Sequence, residues 1–583
     1  MLTEKRENRL NVNNQRLSFR FIVAGVVAVL LAITGFYWFL FKSPVKLNTP
    51  ISQPGAAIFV SNVAPAMVSL LVNPEGLQSI EKKREISQIK NSLLAKTNIN
   101  FKDDIKPWLS NEITLAVTSE DIDRDPENGL QPGYLMALAT NNPEKSREFV
   151  ELLFSRRTLA GTNLEVEQYK GVKLLYDTPE IITSKRSQNT KSKIQNSLAG
   201  AVIDDFVLFA NDLKVVKEAI NNIQAPNLNL SSDSEYQKAV KELPKNAVAV
   251  AFFKLPTLAK WQGLELAEST YKSQILSLVL KSQGMLAEST FLSRSNLPSS
   301  KVASVSTPLS KPVDALKYIP ESAGLAIAGA NLSNLPNSNL DKLWQQATAT
   351  IYGSSQEAIA RWMQPLIDVQ KSWDINWKED IFSWVSGEYA LAILPNQEAN
   401  QDKNINPNWV FVVEKTPQLE QGIAKLDNIA TNNEFNVSSL ILNNQKIAVW
   451  TELKAIPENS SVNIEAKVKG AHTSIDNYEI ITSDLALMEK IITHQEHTLM
   501  ENSNFQDSIA NLPQPNQGYI YIDWKKSQEF LESQQPLLKF VELLGKPLFD
   551  NLRSLTVSSY GQEAETLKGG VFFQLGVAEK VFP

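Results

Sequence analysis

Apolar residues along this chain follow two short periods, and each period occurs in two separate regions. In residues 113–117 and 389–393, apolar side chains alternate with polar or small ones, which predicts half-buried β-strands. In residues 213–220 and 485–492, apolar side chains recur at i, i+3 and i+7, which predicts helices with one buried face. Residues 163–178 predict a hairpin. Because strands and helices are interleaved with hairpins, the pattern favours an α+β fold with antiparallel sheets over a parallel βαβ array.

One stretch of the chain occurs twice. Residues 99–117 read INFKDDIKPWLSNEITLAV and residues 375–393 read INWKEDIFSWVSGEYALAI, with ten of the nineteen positions identical. Further matches follow in the same order: 169–176 with 442–449, 203–213 with 475–485, and 235–244 with 504–513. Repetition on this scale indicates two related structural units in one chain. We therefore expect two tandem, internally repeated α+β modules.

The duplicated stretch predicts a short capped helix that leads into a core strand. Asp104 or Asp380 can cap this helix by accepting a backbone hydrogen bond, and Pro107 falls in the first turn, where its missing N–H costs little. Asn111 or Gly387 tolerates a left-handed exit and would end the helix. The signature of the repeat comprises Asp104, Trp108, Glu112, Asp380, Trp384 and Glu388.

The carboxylates of this signature allow two interpretations. They could be catalytic acids, or they could hold local structure in both modules. An active site rarely needs to be present in both halves of a chain, whereas a helix cap does, so we favour the structural interpretation. The two tryptophans, placed just before the strand, are expected to be buried against it.

Other boundaries of the modules are also marked. Asn142 and Thr416, each followed by proline, predict the start of a long helix. The stretches PGAAIFV, from Pro54, and ESAGLAIAG, from Glu321, predict opening strands. Two later strands and a closing hairpin are predicted at 247–253, 518–523 and 552–575.

Residues 21–41, FIVAGVVAVLLAITGFYWFLF, contain no charged residue. A helix of this length spans about 30 Å, enough to cross the hydrocarbon core of a membrane. The run ends in bulky residues where a cleaved signal peptide would need small ones, which predicts an uncleaved signal anchor. Five Lys or Arg residues precede the run and only Lys42 and Lys46 follow closely, so the N-terminus should be cytoplasmic. The bulk of the chain would then lie in the periplasm or an equivalent lumen.

These features predict the following organisation. The segments are a cytoplasmic basic N-terminus at 1–20, a transmembrane signal anchor at 21–41, a linker at 42–53, module one at 54–305, a linker at 306–314 and module two at 315–583.

Composition excludes several classes of function. The chain has 583 residues, more than one typical core, and its 43% hydrophobic and 21% charged content is that of an ordinary globular protein. A net charge of −6 argues against a nucleic-acid partner, which would normally meet a basic face. The chain has no cysteine, so disulfides, thiolate metal sites and iron–sulfur clusters are excluded. No cofactor is expected.

No motif predicts catalysis. The only histidines are His472, His494 and His497, and the HQEH stretch at 494–497 lacks the spacing of a zinc protease. It could still place ligands along one helical face, although a solvated helix end is favoured. The S-x-x-K motif of penicillin-interacting enzymes occurs at Ser43, Ser79, Ser87 and Ser269, near the number expected by chance, and its K-[ST]-G partner is absent. We assign no catalytic and no metal-binding residue.

Tryptophan is distributed unevenly between the two halves of the chain. Exposed tryptophans would suit glycan stacking or a protein-binding hot spot, whereas most tryptophans in globular proteins are buried. The candidate binding face in the second half consists of Trp344, Trp362, Trp373, Trp377 and Trp409.

The N-terminal anchor, the A-x-F-V opening stretch at 57–60 and the D-I-x-x-W-[LV]-S-x-E element resemble a known family. This is the mainly cyanobacterial, membrane-anchored family catalogued as domain of unknown function 3352. The resemblance implies an extracytoplasmic body, in the periplasm or thylakoid lumen, and no catalytic residues. We expect a binding, scaffold or assembly module whose partners are the lipid bilayer, through 21–41, and another envelope or thylakoid protein. A hydrolase acting on cell wall or peptides, and a lipid or pigment carrier, are the alternatives.

Overall fold

A computed structural model gives the protein a mixed α and β fold. It describes residues 53–71, 101–125, 131–159, 161–178, 197–261, 271–293, 308–333, 339–340, 343, 376–395, 407–458, 461–534, 542, 546–563 and 566–576. The predicted transmembrane segment at 21–41 lies outside these ranges. Within them, no helix is both long enough and apolar enough to span a bilayer.

The chain divides into two compact units. The first extends to Ser282 and includes Ser289–Arg294, and the second comprises Gln283–Glu288 and the chain from Ser295 onward. Each unit is built around an antiparallel sheet with helices, which confirms the predicted α+β class with antiparallel pairing.

The sheet of the first unit contains nine strands, and β9 turns back into β10, of which only the part from Ser289 onward belongs to this unit. The strands are β1 Ala66–Leu70, β2 Leu109–Ser119, β3 Gly133–Thr140, β4 Asn163–Tyr169, β5 Val172–Thr178, β6 Leu198–Ile203, β7 Phe206–Ala210, β8 Ala247–Lys254, β9 Tyr271–Lys281 and β10 Gly284–Ser293. Neighbouring strands of the sheet follow the order β4-β5-β6-β7-β3-β2-β1-β8-β9. Strand β3 therefore lies between β2, its neighbour in the chain, and β7, which follows much later.

Helices of the first unit pack on this sheet through apolar side chains. They are α1 Pro143–Leu159, α2 Leu213–Gln224, α3 Ser234–Lys241 and α4 Leu255–Trp261. Side chains of α1, including Phe149 and Phe154, share one buried cluster with Trp108 and Phe209. Helix α2 begins after Asp212, whose carboxylate accepts a hydrogen bond from the N–H of Lys214. This cap satisfies one of the backbone donors that every helix leaves unpaired at its start.

The second unit contains ten strands. They are β11 Leu325–Gly329, β12 Tyr389–Leu394, β13 Asn408–Glu414, β14 Asn436–Leu442, β15 Gln445–Glu458, β16 Ser461–Ile475, β17 Tyr478–Thr482, β18 Tyr519–Asp523, β19 Leu552–Glu563 and β20 Thr566–Leu575. The strands are ordered β14-β15-β16-β17-β13-β12-β11-β18-β19-β20. The helices are α5 Leu419–Asn432, α6 Leu485–Thr493, α7 Ser503–Ala510, α8 Trp524–Gln534 and α9 Lys546–Phe549.

The two units have the same strand order, with β1 to β9 corresponding in turn to β11 to β19. Equivalent positions also make equivalent contacts. Tyr236 on α3 packs edge-to-face on Phe252 at 5.1 Å, and Phe505 on α7 packs edge-to-face on Tyr521 at the same distance. This helix–strand contact is thus repeated in both units, with the tyrosine on the helix in the first unit and on the strand in the second.

Several predicted elements differ from the structure. Residues 101–105 and 377–381 form single π-turns, and β2 starts at Leu109, so the first copy of the predicted helix does not continue to Asn111. Asp104 and Asp380 lie inside these turns rather than at a cap position before them. Asn142 does cap α1, because its side chain accepts from the N–H of Lys145 at 3.1 Å.

Two further predictions were wrong. Thr416 does not cap the corresponding helix, which begins at Leu419 after the uncapped Gln418. The stretch after Pro54 is a 3₁₀ turn, Gly55–Ile58, and not an opening strand. The first strand comes later, at Ala66. By contrast, the strands at 247–253 and 518–523 and the closing hairpin are confirmed to within a residue or two.

Candidate functional site

Glu112 of the signature is buried and holds a distant turn. Its side chain is 3% exposed. One carboxylate oxygen accepts from the N–H of Gly55 at 2.8 Å and the other from the N–H of Ala56 at 3.0 Å. The hydroxyl of Thr114 donates to the same carboxylate at 2.8 Å. Glu112 therefore caps the 3₁₀ turn at Gly55–Ile58, although 57 residues separate it from Gly55 in the chain.

Glu388 likewise caps a 3₁₀ turn in the second unit. Its carboxylate accepts from the N–H of Asp314 at 2.8 Å, at the start of the 3₁₀ turn Asp314–Tyr318. The hydroxyl of Tyr478 donates to the same oxygen at 2.9 Å. Carboxylates that accept backbone N–H bonds stabilise the turn they cap. This geometry supports the structural interpretation of the repeated glutamates.

The tryptophans and aspartates of the signature also form matching contacts. The indole N–H of Trp108 donates to the carbonyl of Asp104 at 2.7 Å, and that of Trp384 donates to the carbonyl of Asp380 at 2.6 Å. Both indoles are buried, as predicted. Each aspartate pairs with a cation of the following long helix: Asp104 with Arg156 at 3.4 Å and Asp380 with Lys425 at 2.6 Å. The tryptophan and the aspartate of each copy therefore connect the π-turn with the start of the strand and with the long helix.

Most of the candidate tryptophan face lies outside the described residues. Trp344, Trp362 and Trp373 lie outside the described residues, and of Trp377 only the backbone, in the π-turn at 377–381, is described. Trp409 is half-buried on β13. The face therefore stays a prediction.

His494 and His497 do not share a helical face. Helix α6 ends at Thr493, and His494 follows in the left-handed conformation with a φ of 51°. His497 lies exposed beside Glu501, with 3.5 Å between the imidazole and the carboxylate. Among the described residues, no group of three or more His, Asp or Glu side chains is arranged to hold a metal ion.

The third histidine, His472, lies at the centre of a buried charged cluster in the second unit. We call His472, Asp427, Glu479 and Trp450 the histidine cluster. One ring nitrogen of His472 bonds Glu479 on β17 at 2.7 Å, and the other lies 3.3 Å from Asp427 on α5. The indole N–H of Trp450 donates to the same Asp427 oxygen at 2.8 Å, and its ring lies against the imidazole at 5.6 Å. The cluster thus links three strands and a helix.

The charges within the histidine cluster favour a protonated imidazole. Burial acts to lower the pKa of His472, but the hydrogen bonds to Asp427 and Glu479 outweigh it and raise that pKa to about 9. Burial acts to raise the pKa of Asp427, yet hydrogen bonds from His472 and Trp450 hold it below its ordinary value. This raised pKa favours the imidazolium form of His472 at neutral pH.

The first unit fills the equivalent position with apolar groups. The strand registers place Gly200 where the second unit has His472, since Gly200 pairs with Phe209 as His472 pairs with Ile481. The ring of Phe154 covers Gly200 so closely that a Cβ there would lie 2.9 Å from it. The histidine cluster is therefore a feature of the second unit alone.

A two-stranded arm projects directly from this cluster. Strand β14 pairs with β15 only as far as Thr451, and β17 pairs with β16 only from Ala471 onward. We call residues 452–458 and 461–469 the arm: 452–458 pair with 461–467, Val468 lies opposite Thr451, Lys469 is the extra residue of a bulge, and no other described strand pairs with 452–458 or 461–469. In the first unit the corresponding strands, β5 and β6, are described over seven and six residues, and residues 179–196 between them lie outside the described part of the chain.

The two faces of the arm differ sharply in polarity. Directly opposed residues in an antiparallel pair share a face. Leu453 lies opposite Ala466 and Ala455 opposite Ile464, and Leu453 and Ile464 are 53% and 71% exposed. The other face carries opposed pairs of unlike charge, Glu452 with Lys467 and Lys454 with Glu465. The alternation of apolar and charged residues along 452–455 and 464–469 was the sequence signal for this arm, and it was missed.

A groove of about 440 Å³ lies in the first unit. It runs between α1, the β4–β5 hairpin and the turn after β6. Its walls carry Arg147, Glu151, Lys173 and Asp204, and Lys173 pairs with Glu151 at 2.8 Å. Two positive and two negative side chains leave the groove without net charge.

The described fold and surface are those of a two-unit antiparallel α+β protein with an exposed β-arm. The chain belongs to the family described as Protein of unknown function (DUF3352), whose model matches residues 21–575. The resemblance seen in the sequence is thereby confirmed at the level of the family. No curated protein sequence matches the chain.

Solved structures of TP0453 are distantly similar. The chain has 10% identity to crystal form III, with a TM-score of 0.24, over 42% of this chain and 82% of that one. For crystal form I the identity is 8% and the TM-score 0.24, over 44% of this chain and 82% of that one. Likeness at this level supports no structural or functional argument.

Proposed function

We propose that this protein is a membrane-anchored binding or scaffold protein of the cell envelope or thylakoid membrane. Residues 21–41 would form its single transmembrane anchor, with the N-terminus in the cytoplasm and both units beyond the membrane. The support is the uncharged apolar run of 21 residues and the excess of Lys and Arg before it. The partners would be the bilayer and another envelope or thylakoid protein.

The same proposal includes an internal duplication. The support is the shared strand order, the repeated signature and the two matching carboxylate caps. A duplicated scaffold can keep one copy structural while the other acquires a binding surface. The histidine cluster, whose equivalent position in the first unit is Gly200, is an addition of that kind.

The apolar face of the arm is the observation that carries the binding role. A soluble protein rarely leaves adjoining apolar side chains on a two-stranded ribbon open to water, because such a surface favours association. Here Leu453, Ala455, Ile464 and Ala466 share one exposed face. The histidine cluster fixes the root of the arm, so the face is presented in a defined direction. This arrangement suits recognition of a protein partner.

Neither alternative function gains comparable support from the described residues. A hydrolase would need a base beside a nucleophile, yet both nitrogens of His472 bond carboxylates. The nearby hydroxyl of Ser474 donates to Glu479 and not to the imidazole. A lipid or pigment carrier would need an apolar cavity, and the groove in the first unit carries four charged side chains.

Two experiments test this proposal. A reporter fused at Pro583 should be active only beyond the cytoplasm, and cytoplasmic activity would contradict the anchor. Affinity capture from gently solubilised membranes should then recover a protein partner with the wild type. The variant Leu453→Asp/Ile464→Asp should lose that partner.

The matched control is Ile441→Asp, which changes an equally apolar residue, 77% exposed, on β14 of the same unit. It should retain the partner. If the arm variant and the control captured the partner equally well, the arm would not be part of the binding surface. The proposed anchor would not be affected by that result.

A further inference from the structure

Neither outer edge of the arm is covered by a described strand, and the edge on β16 is longer than the edge on β15 at 452–458. On β16, residues 461–469 pair with β15 on one side only, because β17 starts its pairing at Ala471. An uncovered edge presents a row of backbone N–H and C=O groups that can pair with another strand. Glu465, Ala466 and Lys467 lie along this edge and are exposed.

The charge pattern of this edge is complementary to itself. An antiparallel pair of identical strands is related by a two-fold axis, and the axis passes through one residue if like faces are to match. With the axis at Ala466, Glu465 of one copy lies opposite Lys467 of the other, and the same contact occurs twice. Ile464 then lies opposite Val468, which continues the apolar face.

The other axes on this edge are less favourable, and an axis at Ile464, for example, sets no glutamate opposite a lysine. An axis at Glu465 would place two glutamates directly opposite each other, and an axis at Lys467 would do the same with two lysines. An axis at Val468 would oppose Lys467 and Lys469 twice. Directly opposed like charges destabilise a strand pair. An axis between two residues would place the charged face of one strand beside the apolar face of the other, so neither the charged nor the apolar side chains would meet partners of their own kind. Ala466 is thus the favoured centre.

We propose that two copies of this chain join through antiparallel pairing of their β16 edges, centred on Ala466. The two arms then form a continuous four-stranded sheet. Within one arm, Glu452 lies opposite Lys467 and Lys454 opposite Glu465. Across the joined sheet each row of the charged face therefore alternates in sign over all four strands. No row brings two like charges together.

Pairing also doubles the apolar face of the arm. The face that carries Leu453, Ala455, Ile464 and Ala466 in one copy continues into the same face of the second. A single two-stranded ribbon is marginally stable in water, and four strands support each other better. This step adds to the proposed binding role but does not depend on it, since the edge pairs whether or not a further partner covers the joined face.

Cysteine substitution gives a direct test, because the chain contains no cysteine of its own. In the proposed pairing, the two copies of residue 466 face each other with about 4.5–5.5 Å between Cα atoms, within reach of a disulfide. The full-length Ala466→Cys variant, oxidised mildly in native membranes, should run at twice the 65.0 kDa mass. Reduction should restore the monomer.

Register is tested by two further variants. In Ile464→Cys the two thiols lie four residues apart along the strand, about 13 Å, too far for a disulfide. Ile464→Cys/Val468→Cys should link the copies again. Leu159→Cys, at a site 90% exposed on the first unit, controls for chance collisions. Equal linkage by Ala466→Cys, Ile464→Cys and Leu159→Cys, or none by Ala466→Cys, would overturn the proposal.

Charge inversion tests the complementarity without disturbing the arm itself. Reversing Glu452, Lys454, Glu465, Lys467 and Lys469 together keeps every pair within the arm but opposes like charges against a wild-type copy. Inverted chains carrying Ala466→Cys should link to each other, and should link to wild-type chains carrying the same cysteine about tenfold less. Indiscriminate linkage would show that the edge charges do not select the partner. Partner capture is a separate readout, so failure of the dimer and failure of the binding role are distinguishable.

Discussion

Removal of the imidazolium from the histidine cluster should destabilise the root of the arm. In His472→Gln, the buried carboxylate of Glu479 and the half-buried carboxylate of Asp427 would face each other without the cation between them. Breaking a buried charged pair by removing one partner typically costs about 3–5 kcal/mol, because a charge is left buried and uncompensated. The amide of glutamine can replace one hydrogen bond but supplies no charge. We expect a loss of stability of about 3 kcal/mol.

The same magnitude follows from proton affinity. A pKa of about 9 in the folded chain, against an ordinary value of 6.5 in the unfolded chain, corresponds to about 3 kcal/mol at about 1.4 kcal/mol for each tenfold change in affinity. Because the pKa of His472 is higher in the folded chain, rising pH removes its proton from the unfolded chain at a lower pH than from the folded chain. This contribution is complete below pH 6.5 and is lost as the pH rises from 6.5 through about 9.

Urea unfolding at a series of pH values provides the assay. The chain contains two units, so a global signal is not two-state, and unfolding should be read at β16 itself. After equilibration in urea, a brief deuterium pulse at one common pH and mass spectrometry of peptides around His472 report the unfolded fraction. Wild type should lose about 3 kcal/mol more than His472→Gln between pH 6 and pH 10.

The matched control is His497→Gln, which alters a histidine that is 80% exposed and pairs with Glu501. Its unfolding should follow that of wild type at every pH. If wild type and His472→Gln showed parallel pH dependence at β16, the charge assignment in the cluster would be refuted.

Three further predictions use the same unfolding assay. The triple variant Asp427→Leu/His472→Leu/Glu479→Leu should recover most of the stability lost in His472→Gln and should lose the pH dependence. The reason is that an apolar set avoids the desolvation of buried charges. A loss of stability as large as that of His472→Gln would contradict this prediction. Glu112→Gln should destabilise the first unit by about 2 kcal/mol, since it loses a charged acceptor for two backbone donors, whereas exchange in the second unit should be unchanged. Trp108→Phe should cost about 1 kcal/mol through the lost bond to the carbonyl of Asp104, and no measurable loss would mean that water replaces it.

Local patterns in the sequence were sufficient for elements whose contacts lie close together in the chain. The hairpin at 163–178 is observed as β4 and β5, joined at Lys170 and Gly171, both with positive φ. Glycine adopts that conformation freely, so the turn could be read directly. The helix at 213–220 was likewise evident, because its apolar stripe and its cap at Asp212 are within a few residues of each other.

The duplicated stretch shows where this local reasoning stopped. Burial of Trp108 and Trp384 was predicted correctly from their position before a strand. The helix expected after Asp104 was wrong, because the indole of Trp108 bonds the carbonyl of Asp104 and closes a single turn, after which β2 begins at once. Competition between a helix and a strand over the same few residues is decided by the neighbouring strands β1 and β3, which the local pattern does not contain.

The sequence by itself therefore determined the class of fold, the doubled order of elements and the family. Only the tertiary structure decided what the repeated glutamates do, since Glu112 meets its partners 57 residues away. It also raises the pKa of His472, because the carboxylates around it come from a helix and a neighbouring strand. Side chains from distant elements meet only when the sheet orders its strands, and that order depends on packing of the whole unit.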